Sequence, residues 1–218
     1  MRRAHGFTLL ELAVTMAIVV VVATIAYGVS RASYQNASLG SITFDLGARL
    51  SGLRFAALSE QEDYVFVVID APNASACRPT SPSSCGKWFL LRAPDAGFSL
   101  SGFLPGSPGQ HATLIDSGDF PRRVKLHLSP SGSPPAPFST IAFFGSDLTA
   151  TVDGLKRFAI RFVRDGSVTG EKSGSASGPW AGYAFALTTD QHGETAAAER
   201  KGVVVAFPAG VVRTFAIH

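Results

Sequence analysis

Charge is scarce in this 218-residue chain: Asp, Glu, Lys and Arg make up 16% of it, against roughly a quarter in an ordinary soluble domain. With 46% of residues hydrophobic, that shortage excludes a disordered chain or a coiled coil. Nineteen basic residues against sixteen acidic leave a formal charge of +3, and +1 without Arg2 and Arg3, a nearly neutral balance that gives no electrostatic reason to expect a nucleic-acid partner. Histidine is sparse. His5, His111, His127, His192 and His218 are scattered, without His-x-x-His spacing and without a nucleophile motif beside any of them. A Ser/His/Asp triad can be drawn on paper from almost any chain this size, so it carries no weight here. No Gly-rich phosphate loop with its lysine is present, and Asp165-Gly166-Ser167 lacks the alternating acids of a calcium loop. The residues therefore point to no enzyme, no cofactor and no metal. Proline is absent before Pro72, so nothing forces an early helix to stop.

What the chain does have is a long apolar run near its start. From Leu12 to Ser30 there are 19 residues without a charge, which as a helix would span about 28 Å, close to the hydrocarbon core of a bilayer. Arg2 and Arg3 precede the run and Arg31 is the first charge after it. A basic flank of this kind places the N-terminus in the cytoplasm and the bulk of the chain outside. A plain secretory signal would explain both arginines, but it should close a short apolar region with a small-residue cleavage site. Glu11 argues against it. A carboxylate costs about 2.5–3.5 kcal/mol at the bilayer centre and less near the edge, so it needs a partner. The simpler account is that Glu11 sits in a first helical turn, where the macrodipole favours an anion by about 0.3–1 kcal/mol. The residue alone leaves both accounts open.

The neighbouring residues bear on that choice. Gly6-Phe7-Thr8-Leu9-Leu10-Glu11, followed by an apolar helix, resembles the processing site of type IV prepilins. The resemblance implies that a membrane prepilin peptidase cuts between Gly6 and Phe7, that Phe7 becomes N-methylated, and that Glu11 is the fifth residue of the mature chain. It also implies a partner for Glu11, the α-amine of Phe7 on a neighbouring subunit in a filament. A buried carboxylate facing a buried ammonium is tolerable where either alone is not. The implied organisation is a leader at 1–6, a transmembrane and filament-core helix at 7–30, and an extracytoplasmic domain at 31–218. Removing Arg2 and Arg3 lowers the balance to +1.

Past the membrane segment, Leu39, Ile42, Leu46, Leu50, Leu53 and Ala57 recur at intervals of three and four, the stripe of an amphipathic helix. One helix from near Phe7 to near Ser59 is expected. Gly28, Gly40, Gly47 and Gly52 each weaken it by about 1 kcal/mol relative to alanine, so local bending or unwinding is expected there. Glu60, Glu62 and Asp63 suit a helix C-terminus poorly, and the chain is expected to turn. The period then changes. Tyr64 to Ile69 is a continuous β-branched and aromatic run, suited to a strand covered on both faces, the amphipathic helix covering one. Arg157 to Phe162 alternates, with Phe158, Ile160 and Phe162 inward and both arginines outward, as in a half-buried strand. Further strands are expected at 88–91, 124–128, 140–144, 183–187, 203–207 and 211–217, the last two joined as a hairpin by Pro208-Ala209-Gly210. Breaker-rich stretches fill 71–86, 129–137 and 170–179. No internal repeat and no second domain boundary is visible.

Ala48 to Ala57, Phe162 to Gly170, and Gly202-Val203-Val204-Val205 with Val211-Val212-Arg213 are similar to the GspH/FimT class of minor pilins and pseudopilins. That likeness implies an α+β fold, a long N-terminal helix followed by an antiparallel β-sheet or β-sandwich-like domain. It implies a structural subunit anchored once in a bacterial inner membrane with its C-terminal domain periplasmic. Such a subunit then assembles into, or primes, a type IV pilus or type II secretion pseudopilus, near the filament tip. The implied partners are other pilins or pseudopilins, prepilin peptidase and the inner-membrane assembly platform. Two other readings stand beside it. One is a DNA-binding pilin for uptake, for which Arg122-Arg123-Lys125 and Lys156, Arg157, Arg161 and Arg164 are the basic candidates; such clusters are usually a solvated sheet face, and only Arg213 lies in the final strand. The other is a membrane-tethered β domain that never polymerises. On the extracytoplasmic side, Cys77 and Cys85 are expected to form a disulfide worth about 2–3 kcal/mol that stiffens its loop, since a metal site would want two further ligands. Asn36-Ala37-Ser38 and Asn73-Ala74-Ser75 match a glycosylation triplet that recurs often by chance.

Overall fold

The computed structural model describes residues 9–74, 76–127, 134–141, 150–171, 182–189, 200–206 and 211–217. The chain divides into two compact units, Met1–Ala37 and Ser38–His218. Helix α1 runs from Leu9 to Glu60 and contributes to both. The four expected weak points at glycine do not interrupt it.

In the second unit, the apolar stripe of α1 is the centre of the core. Leu39, Leu46 and Leu50 are fully buried, and Ile42, Leu53 and Ala57 nearly so. They pack with inward side chains from two antiparallel sheets. The first sheet contains β1 (Tyr64–Ile69), β2 (Lys87–Arg92), β3 (Thr113–Asp119), β5 (Ala150–Val152), β6 (Leu155–Phe162) and β7 (Val168–Glu171), in the order β3-β2-β1-β6-β5 with β7 also on β6. The second contains β4 (Val124–His127), β8 (Gly182–Thr189), β9 (Arg200–Ala206) and β10 (Val211–Ile217), in the order β10-β9-β8-β4. Aromatic side chains close the space between the sheets, with the Phe185 ring 5.0 Å from Phe158 and 6.3 Å from Phe66 between centroids. Two polar links tie the sheets together. Asp70 Oδ1 accepts from Leu126 N–H at 3.0 Å, and Tyr183 Oη accepts from Gly170 N–H at 2.7 Å.

The helix meets the second sheet at close range. A Cβ on Gly40 would lie 2.8 Å from Lys201 Nζ, and one on Gly47 would lie 2.9 Å from Thr214 Cγ2. These glycines give up helix propensity and let strand side chains reach the helix backbone. At its C-terminal end α1 carries Glu60 with no basic residue in the last turn. The chain turns at Gln61, at φ 57°, and Arg92 on β2 pairs with both Glu60 and Glu62. The unfavourable carboxylates foreseen at this end are thus offset from a strand rather than from the helix.

β1 is buried along its whole length. Tyr64, Phe66 and Val68 face the α1 core, while Val65, Val67 and Ile69 pack with Phe98, Leu100 and Phe103. The helix covers one face as expected, and the segment between β2 and β3 covers the other. The same cover corrects the reading of β6. Phe158, Ile160 and Phe162 point into the core, but Arg157 is 2% exposed and Ala159 is fully buried. Arg157 donates from Nη1 to the Phe103 carbonyl at 2.7 Å and from Nη2 to the Val152 carbonyl at 3.4 Å. β6 is therefore a strand covered on both faces, not a half-buried one.

The strands expected at 88–91, 183–187 and 211–217 are present as β2, β8 and β10. Those at 124–128 and 203–207 appear as β4 and β9, whose final expected residues, Leu128 and Phe207, lie outside the described residues. So do 142–144 of the strand expected at 140–144 and the Pro208-Ala209-Gly210 connection, although β9 and β10 pair as a hairpin requires. Three strands carry no sequence expectation. β5 is three residues long, and β7 takes Gly170 and Glu171 out of a stretch read as breaker-rich. β3, Thr-Leu-Ile-Asp-Ser-Gly-Asp, is poor in strand formers and is held at the sheet edge by its neighbour. A Cβ on its Gly118 would lie 2.5 Å from Trp88 Cζ2, so the glycine makes room for the indole.

Candidate functional site

The first turn of α1 is Leu9-Leu10-Glu11, and Leu9 to Tyr27 is a 19-residue stretch of mean hydropathy 2.5 with none of it buried. Leu9, Leu10, Met16, Val20 and Ile25 are all more than half exposed. A helix apolar on every side is stable in water only if lipid or other helices cover it. Its two threonines are satisfied internally. The Thr15 hydroxyl lies 2.9 Å from both the Glu11 and the Leu12 carbonyls, and Thr24 donates to the Val20 carbonyl at 2.7 Å. Hydroxyls that bond back to the preceding turn leave no open donor to hydrocarbon. Glu11 is then the single charged residue between Leu9 and Tyr27, in the helical turn where an anion is favoured. Gly6 and Phe7, the expected cleavage and methylation positions, lie outside the described residues.

In the second unit Cys77 and Cys85 form the expected disulfide, with Cα atoms 4.6 Å apart and both residues buried. The bridge closes a loop whose turn at Asn73 is capped by its own side chain, Ala76 N–H donating to Asn73 Oδ1 at 3.1 Å. The loop is pinned to the sheets by Arg123 N–H, which donates to the Ala74 carbonyl at 2.9 Å.

Of the candidate basic cluster on β6 and after it, Arg157 and Arg161 are committed to structure, while Lys156 and Arg164 are exposed. Arg157 is buried against backbone carbonyls. Arg161 lies 3.4 Å from Asp63 Oδ2, and Arg164 Nε lies 3.8 Å from Asp63 Oδ1, which also accepts from Arg164 N–H at 3.1 Å. Asp63 is a junction that the sequence reading missed; its only signal was an acid immediately after a helix end. Arg49 was likewise missed. Its guanidinium lies 4.3 Å from the Trp88 ring centroid and pairs with Asp45 on its own helix and with Asp116 on β3. His111 stands 3.2 Å from Asp95, and the Gly97 and His111 bonds hold that carboxyl below its usual range, the Gly97 N–H contributing most. Among the described residues, no group of three or more His, Cys, Asp or Glu is placed to hold a metal.

No curated protein and no solved structure is matched by the chain. Residues 1–27 match the family model described as the prokaryotic N-terminal methylation motif. Together with the exposed apolar helix that follows, this match supports a type IV prepilin-like protein and is consistent with a membrane anchor.

Proposed function

We propose that the chain is a minor pilin or pseudopilin, a structural subunit cut by prepilin peptidase between Gly6 and Phe7 and assembled into, or priming, a type IV pilus or type II secretion pseudopilus. The observation that carries this reading is the methylation motif at 1–27 together with the helical stretch Leu9–Tyr27, which is apolar on all sides and bears one acid, Glu11. The helix resides in the inner membrane until assembly, with the β-rich unit on the periplasmic side. On assembly, helices of neighbouring subunits replace lipid around it. Glu11 then meets the methylated amine of a neighbour's Phe7, an ion pair whose formation in a low-dielectric core sets axial register. An amphipathic helix leading into an antiparallel β domain supports placement in the GspH/FimT class. The disulfide serves to stiffen the 71–86 loop. No catalytic step is involved, and two of the basic residues of the DNA-uptake reading are withdrawn from it, Arg157 by backbone carbonyls and Arg161 by Asp63.

Mass spectrometry of the chain isolated from a host with active prepilin peptidase tests the proposal. The expected product begins at Phe7 and carries one methyl group on its amine. A chain that retains Met1 to Gly6 in such a host contradicts it.

A further inference from the structure

We propose that the edge of β10, which pairs with no further strand among the described residues, is a strand-addition site for an extended, acidic segment of a partner protein. β10 ends the second sheet, and its seven residues pair with β9 in unbroken register from Val211 to Ile217. Other edge strands are blunted. β3 carries a register shift that leaves Ile115 as an extra residue opposite Leu90 and Leu91, while β4 and β7 have four residues each and β5 three. A long, regular edge presents a row of backbone donors and acceptors that proteins ordinarily shorten, bulge or cover unless it is used.

Beside this edge lies a cleft of about 330 Å³ between Gly40, Thr43 and Phe44 of α1 and Thr214, Phe215 and Ala216 of β10. An edge strand running next to a helix across a cleft is the geometry in which a peptide adds as a further strand. Main-chain hydrogen bonds then give affinity, and alternate side chains enter the cleft. Phe44, 71% exposed, is the apolar wall that such a strand would cover. Charge selects the occupant. Arg213 is the one charged residue of β10 and is exposed. A second copy's β10 would bring like charges together, whereas a strand that alternates apolar residues toward the cleft with carboxylates at its margin is attracted. The site belongs to the second unit alone and is independent of cleavage and filament formation.

The test uses the full chain in detergent micelles and a labelled synthetic peptide of alternating valine and glutamate. A valine–lysine counterpart and an N-methylated valine–glutamate version unable to pair as a strand serve as controls. Fluorescence anisotropy is expected to show saturable binding of the glutamate peptide, at least about tenfold weaker binding of both controls, and about tenfold loss in Phe44→Ala and in Arg213→Glu. Both substituted residues are exposed, so the fold is retained. Amide exchange at 211–217 should slow on binding. The proposal falls if the glutamate peptide does not bind saturably, if the controls bind equally, or if neither variant weakens binding. It falls equally if β10 amides of the free chain exchange as slowly as those of β9, which would mean that the edge is already occupied.

Discussion

Truncating two side chains on α1 separates its buried face from its exposed one. Leu50 is fully buried among Leu46, Leu53 and the inward residues of both sheets. Leu50→Ala removes that packing and leaves a cavity that a core roofed by two sheets cannot readily close, so a loss of about 3 kcal/mol is expected within the usual 2–5 range. In a unit of this size, that corresponds to a Tm lowered by about 6–12 °C. Phe55 stands five residues further along the same helix and is 68% exposed. Phe55→Ala removes a larger side chain, yet it should change stability by less than about 0.5 kcal/mol, because little apolar surface returns to water and alanine is the better helix former. Thermal unfolding of both variants, followed by near-ultraviolet circular dichroism in the same detergent, makes the comparison. A Phe55→Ala loss as large as that of Leu50→Ala would refute the assigned helix face and the core built on it.

Three further outcomes follow from the second unit. Replacing Cys77 and Cys85 together by serine should lower stability by about 2.5 kcal/mol in chain-entropy terms, and the unreduced wild-type chain should contain no alkylatable thiol; labelling of either cysteine in unreduced protein contradicts the bridge. Burial, and then the bond it donates to Glu60 at 2.7 Å, pushes the Tyr64 phenol up to about 12. Because the folded value lies above the unfolded one, this contribution is intact below about pH 10 and is lost as pH rises from about 10 to about 12. An absorbance titration in which every tyrosine ionises near its ordinary value would overturn that assignment. Burial, chiefly, also raises the Asp70 carboxyl, which still accepts from Ala71 and Leu126 N–H groups. A raised carboxyl is destabilising above its folded pKa and is relieved as pH falls through it. Asp70→Asn, which keeps the acceptor without the charge, should therefore be neutral or stabilising at pH 7, whereas Asp70→Ala should cost about 1–3 kcal/mol. Equal denaturation midpoints for the two variants would dismiss the inter-sheet link.

Much of the architecture was legible because its signals are local. The stripe from Leu39 to Ala57 identifies one helix face at a spacing that no strand shares, and every member is buried. Tyr64 to Ile69 announced a doubly covered strand by having no polar position at all. β6 was misread because its second face is covered by Phe103, more than fifty residues away, and a buried arginine answered by carbonyls looks in sequence like an exposed one. β3 was missed because its position depends on Trp88, on Arg49 of α1, which pairs with its Asp116, and on its partner strand rather than on strand-forming residues of its own. At the membrane end, the order Gly6-Phe7 and then Glu11 was legible as a motif. The apolar run after it was legible as a helix long and apolar enough to cross a membrane, and none of the stretch from Leu9 to Tyr27 is buried. The Asp63 junction was not legible, since Arg161 and Arg164 reach it from the far end of another strand.

The role given to Glu11 is tested most directly by comparing Glu11→Ala with wild type for N-terminal processing and for incorporation into sheared filaments, in one host. The account predicts that the variant inserts and loses its first six residues as wild type does, yet is at least about tenfold depleted from filaments, since a neighbour's buried amine would be left without its counter-charge. Filaments containing the variant at wild-type abundance would contradict it.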